Sequence, residues 1–525
     1  MTLGRSPDHE DVFRSSTGFC GPRVSPTSIY ALLHHEGHRL FPDDGFADLF
    51  HDIGRASVPP RIVSVVMVLQ RLEGLSDREA VDRFTFDLRW KYAAGGLDYD
   101  YPGFVHTVLV DMRARLRRSE RPNRIFETAM EVARNAGLVG RKRVLDSTPL
   151  YDAVATQDTV TLVRSAIRGL LRVADAALAA ELRTVCKRDD DYVVPGKPAC
   201  DWDHTEAREA LIDALARDAN AILARLEGRA LDAGAKEAAQ LLATVVGQDL
   251  EQTEDGTFRI ARRVTPGRVI STVDPETRHG HKTAARGFDG YKGHVAIDPD
   301  SEVITATEVT PGHVADGSAA ETLLSDVLSP RADETAKPER MEVYGDASYG
   351  TAEIVEKIEA AGAVANVKVQ APSAPSGHYG KDAFAVDIDA NTVTCPAGVL
   401  VQIRLRPDGS GIAAFAGSCA TCPLRSKCTD AKAGRVIRIH RQEATLQRSR
   451  ERQSDPTWKA QYRSTRPKVE RKLAHLVFRR HGGRRARMRG CERNRHDFAL
   501  LGAAHNLKRL ATLGVRFDGT SWVTA

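Results

Sequence analysis

The segment Met341–Gly350, which reads MEVYGDASYG, constrains the fold more than any other part of the chain. Met341 to Tyr344 is a short, apolar-rich strand that Gly345 ends, and Asp346 follows directly before a helical pattern. In open α/β sheets, this edge of the strands is where ligands bind. An aspartate at a helix N-terminus is the common alternative at such a junction. The segment therefore predicts an α/β sheet with Asp346 at a functional edge or at the start of a helix.

The composition indicates a soluble protein of two to four domains, since the chain has 525 residues, moderate charge and a net charge of +5. The polar N-terminus lacks the apolar core of a signal peptide. The longest apolar run, Ile62–Leu69, is too short to span a bilayer. We therefore expect a cytoplasmic protein without a membrane partner, whose eight cysteines are reduced thiols or metal ligands.

The N-terminal region has a helical pattern that resembles a helix-turn-helix. A helix opening at Pro59-Pro60 stops at Gly74, and Ser76–Glu79 is a capping-box sequence that starts the next helix. Four basic residues in and after this second helix could reach DNA phosphates: Arg78, Arg83, Arg89 and Lys91. Any helical bundle contains such corners, so DNA contact and a plain bundle both remain open.

A strand at Val144–Thr148 carries Asp146 in its middle, where a buried carboxylate needs a partner or a ligand. An edge strand with Asp146 in solvent is the alternative. Apolar stripes then predict three helices, which we interpret as a bundle inserted between two strands of the main sheet: Leu162–Val185, Glu206–Leu226 and Ala235–Val246.

The sheet is expected to resume with a strand at Arg268–Val273, which Asp274 ends. A hairpin of Gly290–Ile297 and Val303–Val309 follows, and the turn Asp298-Pro299-Asp300 joins its strands. A helix, the Asp346 strand, another helix and a last strand complete a pattern typical of a mixed α/β sheet.

Four cysteines lie close together in a later segment of short strands and turns: Cys395, Cys419, Cys422 and Cys428. A CxxC pair flanked by two further cysteines can supply four thiolates to one tetrahedral Zn²⁺. His440 is a possible substitute ligand. Unliganded thiols are the main alternative, and an iron–sulfur cluster is a more distant one.

A late helix opens near Tyr462 and carries Glu470 on one face with Leu473, Ala474 and Val477. We interpret this face as the apolar stripe, with Lys472 among the residues of the polar face. A glutamate turned toward a core needs a cation, and either Arg466, one turn earlier, or a shared metal ion would provide it.

A dense basic run follows this helix. It comprises Arg479, Arg480, Arg484, Arg485, Arg487, Arg489, Arg493 and Arg495. Such runs are usually solvated surface, but the density of this one also suits a track for nucleic-acid phosphates. Next to acidic residues, it favours phosphodiester chemistry over proteolysis or sugar hydrolysis.

The three carboxylates Asp146, Asp346 and Glu470, with the GYKGH hairpin, the cysteine segment and the YRSTRPKVERK helix, resemble the DDE transposases of bacterial insertion sequences. The resemblance implies a ribonuclease H-like mixed sheet core with a helical insertion, an all-α N-terminal domain and a small cysteine-containing insert. It also implies two Mg²⁺ or Mn²⁺ ions held by the three carboxylates. It further implies double-stranded DNA as partner, oligomers on DNA and a nucleoid-associated protein in the bacterial cytoplasm.

The related enzymes carry a Tyr-two-Arg-three-Glu-six-Lys signature. Here Arg466 and Glu470 keep their spacing, whereas three residues separate Tyr462 from Arg466, and Val477 replaces the lysine. The DNA-binding candidates are Lys292, Tyr462, Arg463, Arg466 and, in the basic run, Arg479, Arg480, Arg484, Arg485 and Arg487.

The expected division of the chain has seven parts. They are an N-terminal segment (1–44), a helical domain (45–135), the first core strand (136–154), the helical insertion (155–262), the catalytic core (263–380), the cysteine insert (381–445) and the catalytic helix with the basic region (446–515).

The expected function is cutting at terminal inverted repeats and joining the ends to target DNA. The alternatives are an inactive DNA-binding relative and a structure-specific nuclease. Asp274 is the alternative to Asp146 as first carboxylate.

Overall fold

The computed structural model describes residues 1–6, 13–152, 154–190, 192–283, 285–329, 339–374, 377–478 and 481–524. The strands, in chain order, are β1 (Lys142–Tyr151), β2 (Leu250–Gln252), β3 (Phe258–Ile260), β4 (Arg278–Thr283), β5 (Arg286–Ile297), β6 (Ile304–Pro311), β7 (Glu342–Gly345), β8 (Val364–Val367), β9 (Ala385–Asp387), β10 (Thr392–Thr394), β11 (Leu400–Gln402), β12 (Arg404–Leu405), β13 (Gly411–Ala414), β14 (Val436–Ile439), β15 (Arg516–Phe517) and β16 (Trp522–Val523).

The helices of eight or more residues in the described ranges are Ile29–Leu40, Pro60–Glu73, Asp77–Phe86, Thr107–Arg118, Arg124–Asn135, Thr159–Val173, Ala176–Val185, Thr205–Leu226, Ala233–Asp249, Ala352–Ala360, Glu443–Ser454, Pro456–Thr465, Pro467–Leu476 and Cys491–Thr512. We call Pro467–Leu476 the glutamate helix and Cys491–Thr512 the C-terminal helix.

A mixed sheet forms the centre of the molecule, with neighbouring strands in the order β6-β5-β1-β7-β8 and with β4 also paired to β5. β5 runs antiparallel to β1, β4 and β6, whereas β1, β7 and β8 are parallel. The α/β class and the hairpin are thus confirmed. The strand expected at Arg268–Val273 was wrong: this stretch makes one isolated bridge, from Val269 to Arg278, and β4 takes its place in the sheet.

The helical insertion lies in the chain between β1 and β4 and has its own core, which includes Leu162, Leu170, Leu215 and Leu242. The single helix expected at Leu162–Val185 is two helices. Asp175 breaks the pattern because its side chain accepts a hydrogen bond from the Leu178 N–H, at 2.8 Å, and so caps the second helix.

The N-terminal helices pack around the C-terminal helix, whose Ala503, Ala504 and Leu507 belong to the same core as the helix Pro60–Glu73. Its Phe498 and Leu501 belong instead to the core on one face of the central sheet. The C-terminal helix is therefore buried between the helical domain and the sheet.

The two helices and the turn that resemble a helix-turn-helix are present in the structure. Gly74 ends the first helix with a φ of 71°, and Ser76 and Glu79 form the expected capping box. Arg78 and Arg83 are exposed. Lys91 was wrongly placed among the phosphate contacts, because it is buried and its ammonium donates to the Tyr99 carbonyl.

The cysteine insert contains two three-stranded sheets, β9-β10-β11 and β12-β13-β14. Its core is small and includes Phe384, Val393 and Phe415 together with Cys419 and Cys428. Across the described residues, no helix has the length and apolarity needed to cross a membrane.

Candidate active site

The parallel pairing of β1 with β7 brings the first two carboxylates together. The register pairs Lys142 with Glu342 and Val144 with Tyr344, so Asp146 and Asp346 each lie two residues beyond the last paired positions. Asp346 directly follows the end of β7, as the sequence predicts. Its carboxylate accepts a hydrogen bond from the Ser348 N–H at 3.0 Å.

The glutamate helix brings the third carboxylate to the same place. Its Val469, Leu473 and Leu476 pack in one core with Val144 of β1 and Tyr344 of β7. Because this apolar contact fixes the rotation of the helix, Glu470 is held at the sheet edge, next to the buried face.

One guanidinium, that of Arg466, contacts all three carboxylates. Its Nη2 lies 3.0 Å from Asp146 Oδ1 and 3.7 Å from Asp346 Oδ2, and its Nη1 lies 3.3 Å from Glu470 Oε1. Three acidic side chains far apart in the sequence thus converge on one cation, which is the arrangement that a shared positive charge requires.

Exposure rises across the three acids: the side chains of Asp146, Asp346 and Glu470 are 9%, 38% and 63% exposed. Glu470 was wrongly placed on the buried stripe of its helix. The buried residues there are Val469, Lys472, Leu473 and Leu476, so the stripe lies one position earlier and includes a lysine.

Burial raises the pKa of Asp146, and the charge of Arg466 and the hydrogen bond from the Ser147 N–H only partly oppose this shift. The Ser147 N–H donates to Asp146 Oδ1 at 2.8 Å. A carboxylate buried in this way is stabilised in its ionised form by a cation, so the site favours a bound positive charge.

A polar chain that the sequence reasoning missed lies behind Asp146. The Ser147 hydroxyl donates to Asp316 Oδ2 at 2.6 Å, and the Lys292 ammonium donates to Asp316 Oδ1 at 2.7 Å. From β4, the Lys282 ammonium donates to the Ser147 carbonyl at 2.9 Å. Lys292, which the sequence predicts as a DNA contact, therefore lies in a nearly buried ion pair with Asp316.

His294, in the same hairpin, is fully buried between two hydroxyl groups. Its Nδ1 lies 2.8 Å from the Tyr349 hydroxyl and its Nε2 lies 2.8 Å from Thr310 Oγ1. Burial lowers the pKa of His294 to about 4, so the ring is neutral at pH 7. Since Tyr349 is three residues after Asp346, this contact ties β5 to the segment that carries the second carboxylate.

Asp274, the alternative first carboxylate, is bound elsewhere. Its Oδ2 accepts from the Tyr291 hydroxyl at 2.7 Å, and its Oδ1 accepts from the Gly490 N–H at 3.2 Å. The acid that contacts Arg466 together with Asp346 and Glu470 is Asp146.

The DNA-binding candidates around the glutamate helix differ in how far their side chains are exposed to solvent. Tyr462 is buried, stacks on Trp458 with ring centroids 4.9 Å apart, and donates its hydroxyl to the Gly345 carbonyl at 3.1 Å. It therefore anchors the end of β7, whereas Arg463, the next residue, is exposed.

The basic run passes close to the end of β1. The Tyr151 N–H donates to the Arg484 carbonyl at 2.7 Å, and the side chains of Arg484 and Arg485 are exposed. Arg487 instead donates to the Leu75 carbonyl at 2.6 Å. Arg479 and Arg480 lie outside the described residues.

The four cysteines line one cavity of about 20 Å³ in the cysteine insert: Cys395, Cys419, Cys422 and Cys428. Burial raises the pKa of Cys428, and the other three thiols add to the increase, so all four lie within electrostatic reach. The Arg435 N–H donates to Cys419 Sγ at 3.4 Å. His440 is exposed and does not line the cavity.

Neither group is a preformed metal centre. In the parts of the chain that the structure describes, no set of three or more histidine, cysteine, aspartate or glutamate side chains is arranged to hold a metal ion. The oxygen donors of Asp146, Asp346 and Glu470 nevertheless suit Mg²⁺ chemically, and Arg466 takes the cation position between them.

Comparison with known families finds transposase matches in two parts of the chain. Residues 394–511 match the family described as "Transposase DDE domain", and residues 35–115 match the family described as "Transposase domain (DUF772)". The first match contains Arg466 and Glu470, and the second contains the two helices joined at Gly74. Two parts of the chain thus match transposase families, and the resemblance to the insertion-sequence DDE transposases is confirmed. Searches of curated proteins and of solved structures found no significant match.

Proposed function

We propose that the protein is a DNA transposase that cuts at the terminal inverted repeats of an insertion sequence and joins the ends to target DNA. The observation that carries the proposal is the convergence of Asp146, Asp346 and Glu470 on Arg466. The strand order β6-β5-β1-β7-β8, with β5 reversed, further supports a ribonuclease H-like core.

In this proposal Asp146, Asp346 and Glu470 would hold two Mg²⁺ or Mn²⁺ ions. When bound, the ions would activate water or a DNA 3′-hydroxyl and stabilise the leaving oxygen. Arg466 balances the carboxylates in the absence of metal. The Ser147–Asp316 hydrogen bond fixes the backbone next to Asp146, and the Tyr462 hydroxyl fixes the end of β7 next to Asp346.

The DNA path that we propose runs over exposed arginines on both sides of this site. Arg463 precedes the glutamate helix, and Arg484 and Arg485 lie beside the end of β1, five residues beyond Asp146. Exposed guanidinium groups at these places can bind the phosphates of double-stranded DNA. Oligomers assembled on the DNA are part of the same proposal.

Strand transfer by purified protein tests the proposal. With Mg²⁺, the wild type should nick and join DNA that carries the ends of its element. Asp346→Asn and Glu470→Gln should lose joining by at least about a thousandfold and keep end binding, because they remove metal ligands without adding bulk. The matched control is Glu451→Gln, an exposed glutamate on the helix Glu443–Ser454.

The other outcomes of this experiment distinguish the transposase from the two alternative functions. Full joining activity in both active-site variants would overturn the assignment. Wild-type end binding without cleavage in any divalent metal would favour the inactive relative, and cleavage of branched DNA without joining would favour the nuclease.

We also propose that the cysteine insert holds one structural Zn²⁺ through Cys395, Cys419, Cys422 and Cys428. Four cysteine side chains around one small cavity could supply the ligands, and the backbone N–H directed at Cys419 Sγ is a hydrogen bond that a zinc-bound thiolate accepts. A module with so small a core commonly needs a metal or a disulfide for stability.

Metal analysis of protein purified without chelator should find about one zinc per chain. Cys419→Ser should lose the zinc, whereas Cys200→Ser, in the helical insertion, should keep it. A zinc-free wild type that melts at the same temperature with and without added Zn²⁺ would refute the site.

A further inference from the structure

A positively charged pocket lies on the other side of the glutamate helix from the three carboxylates. The cavity measures about 360 Å³, and its basic lining residues include Lys472, His505, Lys508 and Arg509. Successive residues of an α-helix turn by about 100°, so Lys472 lies roughly 200° around the helix from Glu470. The pocket is therefore separate from the acidic site, although both use the same helix.

Lys472 is buried, with 4% of its surface exposed, and its ammonium makes no hydrogen bond or ion pair with the described residues. Lys472 lines the cavity, and a lysine so nearly buried without an anionic partner is normally disfavoured. An anion bound next to the Lys472 ammonium would therefore stabilise it.

His505, on the C-terminal helix, lines the same cavity and is also buried. Its Nε2 has no hydrogen-bond partner among the described residues. Burial lowers the pKa of His505 well below its ordinary value, so the ring is neutral and can donate one N–H. Its ring packs edge-on against His481 with centroids 4.7 Å apart, which fixes its orientation.

The acidic residue that lines this cavity is Glu302, and it is already paired. Its carboxylate contacts the guanidinium of Arg471 on the outer side of the glutamate helix. The Arg509 Nε donates to the Ser301 carbonyl at 2.8 Å, which holds this guanidinium at the cavity. The remaining charge of the lining is positive.

We propose that this pocket binds a phosphate group, with Lys472, Lys508 and Arg509 as its charged partners and His505 as a neutral donor. A tetrahedral oxyanion would satisfy the unpaired ammonium and the unpaired imidazole nitrogen together. The phosphate would come from the DNA backbone or from a free phosphate-containing ligand. Phosphate binding at this pocket does not depend on the proposed catalytic function.

The first experiment measures the melting temperature of the full chain with inorganic phosphate against chloride at equal ionic strength. Phosphate should stabilise the wild type, because a ligand that binds the folded state raises its stability. Lys472→Met and His505→Gln should each weaken phosphate binding by about tenfold. Lys236→Met, an exposed lysine in the helical insertion, is the control and should keep the wild-type response.

Lys472→Met should fold, since it replaces an unpaired buried charge by an apolar side chain of similar length. An unchanged phosphate response in both variants, or no response in the wild type, would overturn the proposal.

The second experiment identifies the source of the phosphate. DNA affinity falls with salt by a slope of about 0.9 per phosphate contact. If the pocket takes a backbone phosphate, Lys472→Met should reduce this slope by about one contact. If Lys472→Met loses the phosphate response and keeps the wild-type slope, the pocket binds a free phosphate-containing ligand.

Discussion

The Arg466 guanidinium lies 3.0 Å from the Asp146 carboxylate, and both side chains are more than nine-tenths buried. The same guanidinium reaches Asp346 and Glu470, so one arginine balances three acids. Burial lowers the pKa of Arg466, but the facing carboxylates, Asp146 first, raise it above its ordinary value overall. The arginine of the family signature therefore has an electrostatic role in the protein without metal.

Arg466→Met should destabilise the metal-free protein by about 3 kcal/mol, because it leaves Asp146 buried without a cation. Added Mg²⁺ should restore much of the loss, and should raise the melting temperature of the variant more than that of the wild type. Thermal unfolding in EDTA and in Mg²⁺ measures both effects. The control is Arg463→Met, which changes an exposed arginine three residues before Arg466 and should change the melting temperature little.

Lys292→Met should destabilise the protein by about 3 kcal/mol at neutral pH, since it leaves Asp316 nearly buried without its ammonium partner. Burial raises the pKa of Asp316, but the hydrogen bonds from Lys292 and Ser147 lower it below its ordinary value overall. A lowered pKa gives stability that is present above the unfolded pKa of about 3.8 and is lost in acid. The difference between variant and wild type should therefore shrink as the pH falls through this range.

Urea unfolding of Lys292→Met and of the control Lys236→Met measures this effect. An unchanged urea midpoint together with weakened DNA binding would instead make Lys292 a DNA contact, as the sequence suggests.

Lowering the pH from 7 to 5 should destabilise the protein through His294. Its folded pKa of about 4 lies below the ordinary value of 6.5, so the unfolded chain takes up the proton first and stability falls as the pH drops below 6.5. His294→Gln should flatten this part of the pH profile, and His204→Gln, an exposed histidine of the helical insertion, should not. An unaltered profile in His294→Gln would show that other groups dominate.

Arg484→Gln with Arg485→Gln should reduce DNA affinity and lower the salt slope by about two contacts, because both guanidinium groups are exposed beside β1. Their backbone pairing with β1 does not depend on the side chains, so the melting temperature should hold. Arg406→Gln, an exposed arginine of the cysteine insert, is the control for loss of charge alone. Equal salt slopes for the wild type, the double variant and Arg406→Gln would show that Arg484 and Arg485 do not contact DNA.

The sequence predicted those features of the structure that depend on residues close together in the chain. The capping box at Ser76, the hairpin of β5 and β6, and the position of Asp346 after β7 depend on residues a few places apart. The convergence of the acids also followed from the sequence, but through the family resemblance, since periodicity alone gives no distance between β1 and β7.

The errors arose where tertiary contacts decide the outcome. The stripe of the glutamate helix was displaced by one position because Glu470 sits at the boundary of the buried face, and Lys472 is buried against expectation. Arg268–Val273 has a strand-like composition, but β4 takes its place beside β5. The Lys292–Asp316 pair joins β5 to the short 3-10 helix Asp316–Ala319 that follows β6, which no pattern in either segment indicates.

The position of bound metal tests the proposed active site most directly. Crystals soaked in Mn²⁺ should show anomalous density among the carboxylates of Asp146, Asp346 and Glu470, with the Arg466 guanidinium displaced from its present contacts. The Glu470→Gln variant should show weaker density at the same place. Manganese bound at other sites, with Arg466 still in contact with all three acids, would contradict the account.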